Sequence, residues 1–277
     1  MSSFENVEIF EDTKKLCETN GRIKDALAQS MKNQKLILEG MKLPTVDKAR
    51  FEDEAKIVVS TKRTFEAAAG YVGQKVVVHN FASATNPGGG VTRGSSAQEE
   101  CLCRCSDLYN ALAQPYFQKH YYQYHLQSCD YFFSDRLIYS PNITVFKSDD
   151  DIPQLLDTPF HVDVITCAAP YIATPSYDPD KLLSIYKSRI KNILEVAMAK
   201  EVDCLILGAF GCGAFHNDPN LMAKAFADLL LQEHYNRYFD KVIFAIKRTG
   251  SFCQNLCSFQ EAFYGISEEG NKRRFWM

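Results

Sequence analysis

Apolar and polar positions along the chain switch between a period near 3.6 and short continuous apolar runs, and the switch repeats. Residues Asp25 to Met41 place Ala26, Leu27, Met31, Ile37, Leu38 and Met41 three and four apart among polar neighbours, which predicts an amphipathic helix stopped by Pro44. Lys56 to Thr61 reads as a short strand and Phe65 to Ala69 as a helical turn. Val76 to Phe81 opens with three valines, as a strand buried on both faces does. Gln98 to Ala113 is a predicted helix, and the tyrosine-rich Gln114 to Asp130 is partly helical after Pro115. Arg136 to Lys147 reads as two strand pieces around a Pro-Asn turn, and His161 to Ala169 as a strand. Pro175 to Pro179 is a loop before a long amphipathic helix over Lys181 to Lys200. Cys204 to Ala209 is a strand, Gly211 to Phe215 a loop and Asp218 to His234 a helix. The strand Lys241 to Ile246 and the helix Ser251 to Phe263 complete the pattern. Strands alternating with helices predict an α/β sheet with helices on both faces. With no linker or repeat, residues 1–277 read as one domain, of which 1–50 is a helical extension that serves as a packing element, a cap or a substrate-facing wall.

With 277 residues, 46% of them hydrophobic, the chain has enough apolar surface for a sizeable core. A formal charge of −3 gives no electrostatic reason to expect direct nucleic-acid binding. The N-terminal MSSFENVEIFEDTKK is acidic and carries no apolar signal region, and no apolar run reaches the length of a membrane span, so a cytoplasmic protein without membrane contact is expected. The ten cysteines then read as thiols. Cys101, Cys103 and Cys105 sit two apart, which on a helix points them to different faces; they read as small buried hydrophobes rather than metal ligands.

Two glycine loops carry the candidate chemistry. Asn86-Pro87-Gly88-Gly89-Gly90 follows the Val76 strand and leads into Gln98-Glu99-Glu100 at a helix start. Gly208-Ala209-Phe210-Gly211-Cys212-Gly213-Ala214-Phe215 follows the Cys204 strand and also precedes a helix. Each taken alone is either a tight turn or a close backbone approach to an anion. Together, two strand-loop-helix sites in one domain suit an extended phosphate such as a diphosphate. Neither has the order of a dinucleotide fingerprint or a Walker loop. Glu99 and Glu100 either complement the helix dipole or address a part of the ligand other than its phosphates. Sugar hydroxyls are natural partners, and a carboxyl with a raised pKa beside a glycosidic bond can protonate the departing oxygen. Arg93 reads equally as a phosphate ligand or a solvated cation, whereas His79, His161 and His216 stand alone and read as structural, with His216, one residue after the second loop, also a candidate to line the pocket. The tyrosines between Tyr116 and Tyr139 read as core rather than as an adenine stack.

The run Gly88-Gly89-Gly90, seven residues and then Gln98-Glu99-Glu100, resembles the signature of poly(ADP-ribose) glycohydrolases, and Gly211 to Phe215 resembles that family's diphosphate loop. The whole chain, with its helical N-terminal extension, is similar to the microbial type. The resemblance implies a macrodomain-like three-layer α/β/α fold with a mixed, mostly parallel sheet. It implies a metal-independent hydrolase without a cofactor, which acts on the ribose–ribose bond of ADP-ribose polymers. Glu100 would be the catalytic acid and Glu99 would hold the adjacent ribose. Gly88, Gly89, Gly90, Gln98, Gly211, Cys212, Gly213 and Ala214 would belong to the substrate site, with Phe215 packed against the distal ribose. Asn80 and Asn86 are candidates for hydrogen bonds to that ribose. Rival readings keep the fold and change the role: a non-catalytic ADP-ribose-binding module, a hydrolase of mono-ADP-ribosylated protein, nucleic acid or metabolite, or a nucleotide-sensing scaffold. The glutamate pair argues against a module that only binds.

Overall fold

A computed structural model describes residues 2–44, 49–173, 177–248 and 250–265. Seven strands form one mixed sheet in the order β1-β4-β5-β3-β6-β7-β2. The strands are β1 (Lys35–Ile37), β2 (Lys56–Ser60), β3 (Val76–Phe81), β4 (Leu137–Lys147), β5 (Leu155–Cys167), β6 (Cys204–Leu207) and β7 (Lys241–Ala245). β5, β3, β6, β7 and β2 run parallel, while β4 runs antiparallel to both β1 and β5. The mixed, mostly parallel sheet is the one expected.

Alternation along the central strands divides the interior in two. Val77, Leu205, Val242 and Phe244 point to one core, which is covered by the helices α6 (Pro179–Ala199), α7 (Pro219–Ala227) and α8 (Gln254–Ala262). Val76, Val78, Ile206 and Ile243 point to the other, beneath α1 (Ser3–Thr19), α2 (Gly21–Asn33), α3 (Thr64–Ala69), α4 (Gln98–Cys105) and α5 (Leu108–Leu112). Helical layers on both faces of a sheet give the three-layer α/β/α arrangement.

Several boundaries differ from the sequence pattern. The helix expected over Asp25–Met41 ends at Asn33, and Lys35–Ile37 becomes an edge strand in register with Leu137–Tyr139. The N-terminal segment is therefore not wholly helical: it adds a strand to the main sheet. The helix expected over Gln98–Ala113 breaks at Ser106 and Asp107. Ser106 Oγ caps the N–H of Leu108, and Asp107 Oδ1 accepts the N–H of Thr144 at 2.9 Å. Of Arg136–Lys147, Leu137–Lys147 is one bulged strand rather than two pieces, with register shifts at Ser140/Ile143 and Val145/Lys147. Asp218–His234 keeps its helical start, but Asp228–Gln232 widens into a π turn. Of the loop expected at Pro175–Pro179, residues 175 and 176 lie outside the described residues, and Pro179 already belongs to α6.

α1 lies against the loop that leads into α4. Asn6 Nδ2 donates to the carbonyl of Gly94 at 2.9 Å, and Thr13 Oγ1 donates to the carbonyl of Arg104 at 2.6 Å. Arg104, itself buried, donates to the carbonyl of Ser95 at 2.6 Å. The N-terminal segment thus braces the approach to Gln98-Glu99-Glu100 from behind.

Candidate active site

β3 and β6 are neighbours in the sheet, and both glycine loops leave from their carboxyl ends, where parallel sheets place their ligands. A cavity of about 470 Å³ opens there. Its lining includes Ser83, Gly89, Glu99 and Glu100 from the first segment and Gly211, Gly213, Ala214 and Phe215 from the second. The two loops that are 120 residues apart in sequence therefore share one site.

Gln98 fixes the start of α4 on the sheet. Its Oε1 accepts the N–H of Phe81 at 2.9 Å, and its Nε2 donates to the carbonyl of His79 at 2.8 Å and to Thr64 Oγ1 at 3.2 Å. Gln98 lines the cavity, yet its amide is already engaged; it positions the two glutamates that follow.

Glu99 and Glu100 are both buried, at 3% and 7% exposure. Glu99 has both oxygens committed: Oε1 accepts from Asn80 Nδ2 at 3.2 Å and Oε2 from the N–H of Ser83 at 2.7 Å. Burial dominates these bonds and pushes its carboxyl up to about 8, so it holds a proton at neutral pH. Glu100 Oε1 accepts the N–H of Gly90 at 2.8 Å, while Oε2 is buried without a hydrogen-bond partner. One carboxyl of the pair is thus fully engaged and the other keeps an uncommitted oxygen.

Gly89 has φ +60°, a conformation that L side chains rarely adopt, and a Cβ there would lie 2.6 Å from Glu100 Oε1 and 3.1 Å from Glu99 Oε2. The glycine is required by the protein's own carboxylates. The amides of Gly89 and Gly90 also serve the protein, the first closing a turn onto the carbonyl of Asn86 at 3.0 Å and the second holding Glu100. The diphosphate cradle read into the first loop therefore cannot rest on those two N–H groups. Gly211, at φ +70°, is packed in a similar way, since a Cβ would meet Ala169 Cβ and Asn217 Nδ2 at 2.4 Å.

Other expected site residues are placed differently. Asn80 is fully buried within β3 and holds Glu99; it does not line the cavity. Asn86 is exposed, donates to Thr85 Oγ1 and also lies outside the lining. Cys212 packs on the core behind its loop, and its N–H donates to the carbonyl of Ala209. Arg93 is exposed. Of the tyrosines expected in the core, Tyr121, Tyr122 and Tyr139 are buried, but Tyr116 and Tyr131 are exposed, and Cys103 and Cys105 are buried thiols. Among the described residues no group of three or more His, Cys, Asp or Glu is gathered that could hold a metal ion.

Sequence reasoning missed one wall of the cavity. Arg63, Asp149, Asp151 and Lys247 line it, with Arg63 Nη1 3.8 Å from Asp149, Lys247 Nζ 3.0 Å from Asp151, and Arg63 also paired to Asp151. Asp149 further accepts the N–H of Phe65 at 2.9 Å. The run of three aspartates after Lys147 was the one local signal. Ser83, whose amide holds Glu99, carried none.

A three-layer α/β/α domain thus brings two strand-end glycine loops and a buried carboxyl pair to one cleft. The family profile described as "Microbial-type PARG, catalytic domain" matches residues 4–148. The fold is similar to the crystal structure of poly(ADP-ribose) glycohydrolase from Thermomonospora curvata, with TM-score 0.81 and 32% identity over 93% of this chain and 99% of that one. The Thermomonospora enzyme bound to the inhibitor ADP-HPD matches with TM-score 0.78 and 31% identity over the same shares. The enzyme from Deinococcus radiodurans in complex with ADP-ribose matches with TM-score 0.75 and 33% identity over 86% of this chain and 96% of that one. No curated protein matches the chain. The chain belongs to the microbial-type poly(ADP-ribose) glycohydrolases. No helix among the described residues is long and apolar enough to cross a membrane.

Proposed function

We propose that this chain hydrolyses the O-glycosidic ribose–ribose bond of poly(ADP-ribose) and releases ADP-ribose, with Glu100 as the acid and then the base. One observation carries the assignment within the pair. Glu99 has both oxygens engaged by Asn80 and Ser83, whereas Glu100 is held through one oxygen and offers the other. Of the pair, only Glu100 keeps an oxygen with no hydrogen-bond partner inside the protein.

In this reading the diphosphate lies along Gly211, Gly213 and Ala214, and Phe215 packs against the distal ribose. Glu100 then protonates the leaving oxygen while the ribose flattens toward an oxocarbenium ion, and the ionised Glu100 activates the attacking water. Glu99, neutral and fixed by Asn80 and Ser83, borders the ribose beside the scissile bond. Residues 1–277 act as one catalytic domain, with the N-terminal segment as its brace. The ten thiols fit a reducing compartment, and we place the enzyme in the cytoplasm.

The test is release of free ADP-ribose from poly(ADP-ribose) in the presence of a metal chelator. Release supports the reading. Intact polymer with ADP-ribose still bound in a calorimeter would leave a binding module or a hydrolase of another ADP-ribosyl linkage.

A further inference from the structure

Beyond the carboxyl pocket, the cavity rim continues into a cluster of rings. Phe215, part of the lining, meets Tyr171 edge-on at 5.8 Å between centroids and Phe133 at 6.1 Å. Tyr131 lies 5.9 Å from Tyr171, and His216 lies 6.0 Å from it. Phe133, Tyr171 and Phe215 are half-buried, but Tyr131 is 61% exposed and His216 is exposed too. The rings therefore run outward from the site onto the surface.

The backbone beneath them is fixed. The N–H of Tyr171 donates to the carbonyl of Tyr131 at 2.8 Å, and that of Ile172 to the carbonyl of Phe215 at 3.0 Å, so three separate segments are tied into one platform. Phe133 adopts left-handed backbone, at φ 57°. Bulky side chains rarely take this conformation, and such strain persists where the presentation of a side chain matters.

We propose that this platform is a subsite for the adenine of the polymer unit on the leaving side of the scissile bond. The inference rests on the glycohydrolase reading above, in which Phe215 packs against the ribose that bears that bond. The departing oxygen belongs to the adenosine ribose of the next unit. Its adenine hangs from the adjoining carbon, within one sugar of the cleaved bond. A base leaving the cleft past Phe215 meets Tyr171 and Tyr131 next. Aromatic faces accept any base by stacking, and each such contact is worth about fivefold to a hundredfold in affinity. The platform selects polymer over substrates whose leaving group lacks a base.

Two synthetic substrates test this: ADP-ribose joined through C1″ to the 2′-oxygen of adenosine, and the same compound with hydrogen in place of adenine. The wild type is expected to cleave the adenosine compound with a kcat/KM about fivefold or more above that of the base-free one. Tyr131→Ala should lose that preference, with its rate on the base-free compound and its Tm unchanged, and Tyr131→Phe should keep the preference. Equal losses on both compounds, or an unaltered preference in Tyr131→Ala, would overturn the subsite. Cleavage of both compounds at the same rate by wild type removes the subsite alone, and cleavage of neither removes the glycohydrolase reading with it.

Discussion

The main-chain N–H of Gly90 donates to Oε1 of Glu100 at 2.8 Å, across ten residues of chain. The last residue of the glycine run and the last residue of the Gln-Glu-Glu run therefore form one unit. The glycine loop holds the acid, and the intervening Val91 to Ala97 closes the ring between them.

That coupling makes Gly89 the most sensitive position of the loop. Gly89→Ala puts a Cβ 2.6 Å from Glu100 Oε1 on a backbone with φ +60°. The strained backbone alone costs ~1–2 kcal/mol. Because the displaced atom is the acid itself, turnover should fall by at least about tenfold, while the melting temperature drops by only a few degrees. Steady-state kinetics beside thermal unfolding check this; full turnover would show that Glu100 does not depend on the loop.

Gly213 is the converse case. A Cβ on it meets nothing within 4 Å, and the residue lines the cavity. The protein itself has no steric need for glycine there. Gly213→Val should leave the melting temperature within about 2 °C and weaken ADP-ribose binding by about tenfold or more. Unchanged affinity by calorimetry would take this loop out of the diphosphate site.

Glu99 predicts how stability depends on pH. Its carboxyl is raised from 4.5 to about 8, chiefly by burial. Between those values the folded protein keeps a proton that the unfolded chain has released, so the group removes stability as pH rises through that window. Glu99→Gln stays neutral throughout. Its stability relative to wild type should improve from pH 5 to pH 8 by a few kcal/mol, read from denaturant midpoints at each pH. Parallel curves would mean that Glu99 is ionised in the native state.

The N-terminal brace is tested at Asn6. Asn6→Ala removes the bond from Nδ2 to the carbonyl of Gly94 and should cost ~1–2 kcal/mol of stability. If α1 positions the loop before Glu100, kcat falls several-fold while the dissociation constant for ADP-ribose stays within about twofold. A stability loss with unchanged kcat would reduce α1 to packing.

Much of this site was legible locally. Strand, glycine loop and acidic helix start are adjacent in sequence, so the first half of the cleft could be read from residues 76–100. The parallel strands carried continuous apolar runs that only buried β-structure explains. The misses are all tertiary. Lys35–Ile37 is too short to show a strand period and becomes one by pairing with Leu137–Tyr139. Asn80 lies on a buried strand, and its orientation toward Glu99 depends on which face of β3 carries the helix. Gln98 belongs to the motif but reaches back to His79 and Phe81, a direction that spacing along a helix does not show. The Arg63–Asp149 wall joins residues 86 apart, and the run Asp149 to Asp151 was its one local sign.

The most direct measurement is ADP-ribose release from poly(ADP-ribose) by wild type and by Glu100→Gln, with chelator present and with ADP-ribose affinity measured on both. The expected result is release by the wild type, loss of release in the variant, and affinities within about tenfold, or ~1.4 kcal/mol. Equal release by Glu100→Gln would contradict the account, because the oxygen left uncommitted beside the scissile bond would then not be the acid.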